Sequence, residues 1–280
     1  GSSFEASGES ITFTLTDDTA ITLEYLQGSD EGNADDIAVG SVLEVVLDED
    51  NQAVSVTVRN LNAGGGFGGS GEVTNGTSAN TITEDTEVDS ETYTSTGDDE
   101  NALRVDGATV TLKDITIEKT AGSSSNTEDG DFYGLNAGLL VLNGATATIT
   151  GATVNTSVTN GNGVFSYGEG TVVNISDSTI RTTENNSGGI QTTGGGTMNA
   201  TNLDVETQEN SAAAIRSDRG GGTVNVDGGS YVTNGTGSPA IYCTADISVS
   251  DATLTANASE GVVVEGKNSV ALTDCEVTGN

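Results

Sequence analysis

The sequence predicts an all-β protein: a right-handed parallel β-helix of about eight rungs, preceded by a small N-terminal β domain. Three observations support this prediction. The composition favours strands, an apolar position recurs about every 25 residues, and a bend follows it at a fixed distance. A short strand and a fixed bend, repeated at such an interval, are typical of a solenoid in which each repeat forms one rung.

The composition indicates many short strands joined by tight turns. The 280 residues include 39 Gly, one Pro and no Trp, and Thr, Ser, Asn, Val and Ala are abundant. Thr and Val favour strands, whereas Gly, Asn and Ser favour turns. A chain of this length can bury the core of one large domain or two modest ones.

Residues 1–60 are predicted to form the small N-terminal β domain, either OB-like or a β-ribbon. Apolar and polar residues alternate there, as they do in strands with one buried face. The apolar members of the four runs are Ile11, Phe13 and Leu15; Ile21, Leu23 and Tyr25; Leu43 and Val45; and Val54, Val56 and Val58. Residues 35–43 resemble part of the small OB-like β-barrels found near the N-termini of exported bacterial proteins.

Two features follow in this part of the chain. Asp48, Glu49, Asp50 and Asn51 predict a hairpin turn, and calcium binding is the alternative use of these carboxylates. Residues 61–76 are rich in Gly and predict a flexible linker. Residues 77–280 are predicted to form the β-helix.

Three apolar columns define the rungs of the β-helix. Members of the first column are separated by 24, 37, 26, 25, 26, 23 and 23 residues. They are Val88, Leu112, Ile149, Ile175, Ala200, Val226, Val249 and Leu272. Five positions later, the second column contains Tyr93, Ile117, Val154, Ile180, Val205, Tyr231, Leu254 and Val277. Two positions before the first lies the third column, with Thr86, Val110, Ala147, Val173, Met198, Val224, Ile247 and Val270.

A bend lies between the first and second columns in every rung. Its second residue is Ser90, Asp114, Gly151, Asp177, Asn202, Gly228, Asp251 or Asp274. Most of these residue types tolerate or favour a left-handed backbone. The interval of 37 residues is explained by a loop inserted around residues 121–134, which leaves the bend unchanged. Loops inserted into solenoids often carry function.

One further strand precedes each first-column residue, so that three strands per rung stack in parallel. Its inward pairs are predicted to be Leu103/Val105, Leu140/Leu142, Val164/Ser166, Ile190/Thr192, Ile215/Ser217, Ile241/Cys243 and Val262/Val264. A right-handed coil is expected because crossovers between parallel strands are almost always right-handed.

The outward residues of that strand form two ladders whose neighbours lie about 4.8 Å apart. The first ladder contains Arg104, Val141, Phe165, Gln191, Arg216, Tyr242 and Val263. The second contains Asp106, Asn143, Tyr167, Thr193, Asp218, Thr244 and Glu265. Aromatic rings beside polar hydrogen-bonding groups suit a sugar-binding surface.

The predicted partner is therefore a glycan or cell-surface polysaccharide. The candidate ligand-binding residues are Phe165, Tyr167, Gln191, Arg216, Asp218 and Tyr242. The alternative interpretation is that Arg216 pairs with Asp218 and that the ladders only solvate one face.

A polysaccharide lyase or glycoside hydrolase acting on an outer face is the alternative function. Asp218 and Glu265 lie two rungs apart, or about 9.6 Å, near the upper limit for an inverting glycosidase pair. In a lyase, the base is expected to be Arg216, Arg219 or Lys267, with calcium held by Asp and Glu. No recognisable motif assigns a catalytic residue or a metal site, so binding without catalysis is the leading hypothesis. Thr-x-Thr pairs on two adjacent rungs suggest ice binding as a third possible function. The later rungs lack these pairs at the equivalent positions, so the sequence does not predict a flat Thr face.

The charge and residue inventory excludes several classes of function. The chain has 42 Asp and Glu against 8 Lys and Arg, and this negative charge disfavours a nucleic-acid partner. It has no His, which excludes the Ser/His/Asp triad and histidine metal ligation. Cys243 and Cys275 are interpreted as buried free thiols, with one disulfide as the alternative.

Four segments resemble adhesin-like surface proteins of gut anaerobic bacteria: Asp131 to Ala137, Ser211 to Gly222, Gly237 to Tyr242, and Glu265 to Ser269. The resemblance spans roughly residues 77–280. By fold, that group belongs with the pectate-lyase-like β-helices, and it has no settled activity. The resemblance implies an exported protein located outside the cell or on the bacterial cell surface.

The ends of a parallel stack are open sheet edges that recruit further strands unless they are covered. The N-terminal domain is a candidate cap for the first rung. At the other end, the rung of Leu272 and Val277 is an ordinary one. End-to-end self-association or a C-terminal continuation is therefore expected there.

Overall fold

The computed structural model describes residues 12–16, 19–25, 28–31, 37, 42–48, 50–59, 74–266 and 268–280. The chain divides into two compact units, Gly1–Glu72 and Val73–Asn280. As predicted, nearly all the secondary structure in the described residues is β. Most of the Gly-rich segment 61–76 and of the OB-like segment 35–43 lies outside the described residues.

The first unit contains a four-stranded mixed sheet. Its strands are β1 (Ala20–Tyr25), β2 (Gly28–Glu31), β3 (Val42–Leu47) and β4 (Ala53–Arg59). β1 and β4 are parallel, and β2 and β3 pair with them in antiparallel orientation. β3 and β4 form the predicted hairpin, in which the Asp48 carboxylate accepts hydrogen bonds from the backbone of Asp50 and Gln52. A bulge in this pairing turns Val54 outward, where it is 53% exposed, so its predicted inward position is wrong.

The second unit is a parallel β-solenoid of eight rungs. The first rung contains β5 (Thr77–Ser78), β6 (Thr81–Ile82), β7 (Thr86–Asp89) and β8 (Thr92–Ser95). The second contains β9 (Glu100–Asn101), β10 (Leu103–Asp106), β11 (Thr109–Lys113) and β12 (Thr116–Lys119), and helix α1 (Thr127–Tyr133) follows it. The third contains β13 (Leu139–Leu142), β14 (Thr146–Thr150) and β15 (Thr153–Thr156), and the fourth contains β16 (Val164–Tyr167), β17 (Val172–Ser176) and β18 (Thr179–Thr182). The fifth rung contains β19 (Ile190–Thr193) and β20 (Gly196–Thr207), and the sixth contains β21 (Ile215–Ser217) and β22 (Gly222–Thr233). The seventh contains β23 (Ile241–Cys243), β24 (Asp246–Ser250) and β25 (Thr253–Ala256). The eighth contains β26 (Val262–Val264), β27 (Ser269–Thr273) and β28 (Glu276–Thr278).

Strand pairing confirms the predicted columns and bends. The first column is continuous from Val88 to Leu272, each member facing the next in the adjacent strand. The second column is continuous from Tyr93 to Val277. All eight predicted bend residues have a positive φ, between 49° and 71°. At least one residue with a left-handed backbone thus turns the chain at this bend in every rung.

The three predicted strand stacks are present, and hydrogen bonding joins two of them. The strand that precedes the first column lies in an eight-stranded sheet, from β6 to β26. The other two stacks form one 14-stranded sheet because β20 and β22 continue through the bend.

One predicted register is wrong, in the third rung. Leu139 and Val141 face the interior, opposite Leu103 and Val105, whereas Leu140 takes the outward place assigned to Val141. The run from Leu139 to Leu142 is apolar at every position, so alternation cannot distinguish its two faces.

The interior is apolar in the middle rungs and opens at the last one. Ile149, Ile175 and Val249 are at most 2% exposed, but Leu272 is 40% exposed and Val277 is 42% exposed. The predicted buried position of Leu272 is therefore wrong, because no described rung covers it. Cys243 and Cys275 are both free thiols, as predicted. Cys243 is buried, but Cys275 is only half-buried, so its predicted burial is wrong.

A column of threonines closes the loop that joins one rung to the next. The hydroxyls of Thr156, Thr182, Thr207 and Thr233 each donate to the backbone carbonyl five residues later. Lys119 occupies the equivalent position in the second rung. Its Nζ donates instead to Gly97 O at 2.6 Å, and burial lowers the pKa of this ammonium group.

Candidate functional site

The predicted inserted loop contains the short helix α1. The Asn126 side chain caps its N-terminus by accepting from the backbone N–H groups of Glu128 and Asp129, at 3.0 and 3.3 Å. Gly134 ends the helix with a φ of 77°, a left-handed conformation that glycine adopts without strain. Both ends of the helix are therefore fixed by local sequence.

Helix α1 lies on the outer face of the eight-stranded sheet. Gln191 Nε2 donates to Asp131 O at 2.6 Å, and Thr193 Oγ1 donates to Phe132 O at 2.5 Å. Asn162 Nδ2 donates to Gly130 O at 3.3 Å. Gln191 and Thr193, in the middle of the two outward ladders, thus bind the backbone of α1 and are buried beneath it.

The Asp131 carboxylate is the centre of this contact. Its Oδ1 accepts from Asn160 Nδ2 and Arg216 Nη1, each at 3.2 Å. Its Oδ2 accepts from Asn186 Nδ2 at 3.1 Å and lies 3.1 Å from Arg216 Nη2. Burial raises the pKa of Asp131 against the attraction of Arg216. The four lone-pair positions of the carboxylate are therefore occupied by side chains from three different rungs.

Both Nη atoms of the Arg216 guanidinium are likewise engaged. Besides Asp131, its Nη1 contacts Ser211 O at 3.3 Å and its Nη2 contacts Asp218 Oδ2 at 2.8 Å. Arg216 is only 7% exposed. Burial disfavours its charge, but attraction and hydrogen bonds from Asp131 and Asp218 raise its pKa above the ordinary value. Arg216 is thus a fixed cation that joins α1 to the sheet.

The structure brings the predicted site residues together on one sheet but does not expose them equally. Phe165 and Gln191 are fully buried, so their predicted exposure is wrong, because α1 and neighbouring apolar residues cover them. Tyr167 is half-buried against Tyr133, with ring centroids 5.6 Å apart. Arg216 and Asp218 form the ion pair that was the alternative interpretation.

A pocket of about 210 Å³ lies beside this ion pair. It is lined by Asp131, Asn186, Ser211, Ala213, Arg216, Gly237, Pro239 and Tyr242. The Tyr242 ring lies 6.0 Å from the Arg216 guanidinium carbon, and its hydroxyl donates to Glu265 Oε2 at 2.9 Å. Burial, followed by the hydrogen bond to Glu265, raises the pKa of Tyr242. The pocket therefore offers one neutral aromatic ring beside fixed polar groups.

Sequence reasoning missed Asp131 and Asn186, which α1 and the fourth rung bring to this pocket. The available signal was the 37-residue interval, since it marks where extra residues leave the regular rung. It also missed Phe132, whose ring lies 4.2 Å from the guanidinium carbon of Arg219. Phe132 lies in the C-terminal half of α1, where its ring also contacts that of Tyr133. Tyr133 in turn contacts Tyr167 of β16.

The residues of the catalytic alternative are engaged in structural contacts. Asp218 accepts from Arg216 and from the backbone of Arg219, and Glu265 accepts from Tyr242. Lys267 lies outside the described residues. Within the part of the chain that the structure describes, there is no group of three or more Asp, Glu, Cys or His placed to hold a metal ion.

A second, larger concavity lies on the 14-stranded sheet. This groove of about 420 Å³ is lined by strand residues that include Asn199, Asn225, Asp227 and Ser248, and no aromatic ring is among its lining residues. The pocket at Tyr242 is smaller but combines a ring, amides and charges. We therefore take the pocket at Tyr242 as the candidate site.

Comparison with protein-family models, with curated proteins and with solved structures finds no match to this chain. Among the described residues, the structure contains no helix long and apolar enough to cross a membrane.

Proposed function

We propose that the pocket at Tyr242 binds a glycan without cleaving it. The observation that carries this proposal is that the Tyr242 ring lies beside Arg216, whose side chain is held in place by several hydrogen bonds. Arg216 is held by Asp131, Asp218 and the Ser211 carbonyl, so the pocket is formed before a ligand arrives. A preformed pocket spends little free energy on ordering side chains when it binds. The exposed part of the ring can contact the apolar face of a pyranose.

The proposed setting is the outside of a bacterial cell. The resemblance to adhesin-like surface proteins supports an exported, surface-located module, and the acidic composition is consistent with that resemblance. The pectate-lyase-like relationship is likewise proposed at the level of fold only, because fold does not determine activity. In this proposal the solenoid acts as a rigid support that presents the pocket.

The test is a glycan array followed by titration of the strongest neutral oligosaccharide. Tyr242→Ala is expected to weaken binding by about 1 to 3 kcal/mol, because the ring contact is lost. Tyr242→Phe should retain most of the affinity, since the ring stays in place. Tyr167 was predicted to bind ligand but does not line this pocket, so Tyr167→Ala is the matched control. This half-buried tyrosine lies on the same sheet, three rungs or about 14 Å from Tyr242.

The same oligosaccharides should be analysed for products after long incubation. Shortened or unsaturated products that vanish with Asp218→Asn or Glu265→Gln would show an enzyme and contradict the proposal. Failure of every glycan to bind, or equal losses with Tyr242→Ala and Tyr167→Ala, would also contradict it.

A further inference from the structure

Arg216 and the carboxylates that contact it set the charge around the pocket. Arg216 is the cation in the pocket wall, and its terminal N–H groups already contact Asp131, Asp218 and Ser211. Recognition of a carboxylate or sulfate by arginine requires a free pair of N–H groups. The bidentate face of Arg216 is therefore not free for an anionic sugar.

Among the described residues that line this pocket or bond to its wall, carboxylates outnumber cationic side chains. Asp131 and Asp218 both pair with Arg216, and Glu265 approaches through Tyr242. Two carboxylates thus contact the Arg216 guanidinium, and a third carboxylate lies at the Tyr242 hydroxyl. The whole chain adds to the effect with a net charge of −34. An anionic sugar is repelled by this field, whereas a protonated amine is attracted.

We propose that the pocket selects amine-bearing sugars over neutral ones and rejects uronic acids. This inference rests on the proposed glycan-binding function and specifies its ligand class. A 2-amino-2-deoxy sugar offers both features that the site requires: a pyranose face for the Tyr242 ring and an ammonium group for the carboxylate-rich rim. Glu265 is the rim carboxylate at the solvent side, since its Oε2 accepts from Tyr242 and the residue is exposed.

The test uses matched oligosaccharides of equal length in the gluco and galacto series. Each series contains a neutral form, its 2-amino form and its uronic acid form, titrated by calorimetry at a pH where amines and carboxylates are both ionised. At low salt, the 2-amino form is expected to bind about three- to tenfold more tightly than the neutral form, and the uronic acid about tenfold more weakly. At about 0.5 M salt the three affinities should converge, because exposed charges are then screened.

Glu265→Gln separates charge from shape, because the amide can still accept the Tyr242 hydrogen bond. This variant should lower the preference for the amine by about two- to fivefold and leave the neutral form almost unchanged. Glu87→Gln is the matched control, since it removes the same charge from an exposed residue on the first rung, about 30 Å away. It should leave the preference unchanged.

The outcomes distinguish this inference from the function on which it rests. Absence of binding to every form overturns both. Binding of the neutral form with equal or tighter binding of the uronic acid overturns the charge selection alone. An amine preference that Glu265→Gln and Glu87→Gln reduce equally also overturns it, because the selection would then come from the net charge of the chain.

Discussion

The two long sheets of the solenoid share the same rungs but differ in how their outer faces are satisfied. On the 14-stranded sheet, Asn225 donates to Asn199 and Asn199 donates to Asn174, each at 2.9 Å, so the face satisfies itself. On the eight-stranded sheet, Gln191 and Arg216 bond to a separate segment, α1. One insertion thus converts a repeating polar surface into a covered face with a pocket at its edge.

The largest expected effect is the difference in stability lost when one arginine on each sheet, Arg216 or Arg181, is replaced by alanine. Arg216→Ala leaves the buried Asp131 and the half-buried Asp218 without their cation, and it should lower the free energy of unfolding by about 3 to 5 kcal/mol. Arg181, on the other sheet, pairs with Asp204 at 2.6 Å, and its side chain is 35% exposed. Arg181→Ala should cost less than about 1 kcal/mol.

Denaturant unfolding of both variants measures this difference. Equal losses would contradict the view that α1 makes Arg216 a buried structural cation. Because Arg216→Ala is expected to disturb the fold, ligand binding is better tested at Tyr242.

The next effect tests the interior that the two sheets share. Ile175 is 2% exposed in the first column, and Ile175→Ala should cost about 2 to 5 kcal/mol through lost burial and a residual cavity. Its neighbour Asn174 faces outward on the same strand, so Asn174→Ala should cost less than about 1 kcal/mol. Thermal or denaturant unfolding distinguishes the two. A loss below about 1 kcal/mol at Ile175 would indicate an exposed position.

The smallest effect isolates α1 from the rungs beneath it. Asn126→Ala removes the N-terminal cap and should destabilise α1 by about 1 kcal/mol. Because the cap lies outside the solenoid core, hydrogen exchange should accelerate in α1 and at the Gln191 rung but not in the 14-stranded sheet. Uniform acceleration across both sheets would show that α1 and the solenoid unfold together.

The regular part of the fold could be predicted because each rung repeats the same local chemistry. Asp114, Asp177 and Asp251 recur at one offset and share one left-handed conformation, so the bends set the register. Prediction failed where that signal was absent. In the run from Leu139 to Leu142 both faces are apolar, so alternation gave no register. The register of Leu272 was predicted correctly, since it faces Val249, but this residue of the last described rung is 40% exposed.

The site was only partly predictable because its contacts are not periodic. Tyr242, Arg216 and Asp218 could be placed on one sheet from the register of the rungs. Asp131 lies 85 residues before Arg216 and outside every column, so spacing gave no reason to pair them. The same cause explains why Phe165 and Gln191 were wrongly predicted to be exposed. Which ladder residues α1 covers depends on where α1 lies, and the repeat does not determine that position.

The threonine column also restricts the length of the loop that follows each threonine. A hydroxyl that must reach the carbonyl five residues later leaves no room for added residues, so the loops after Thr156, Thr182, Thr207 and Thr233 are held to one size. The second rung has Lys119 at this position, and its long side chain reaches back to Gly97 instead of forward. That rung is also the one that carries α1. The connection after Lys119 lacks this hydroxyl contact and already holds α1, so it is the loop in which we expect further inserted segments to be tolerated.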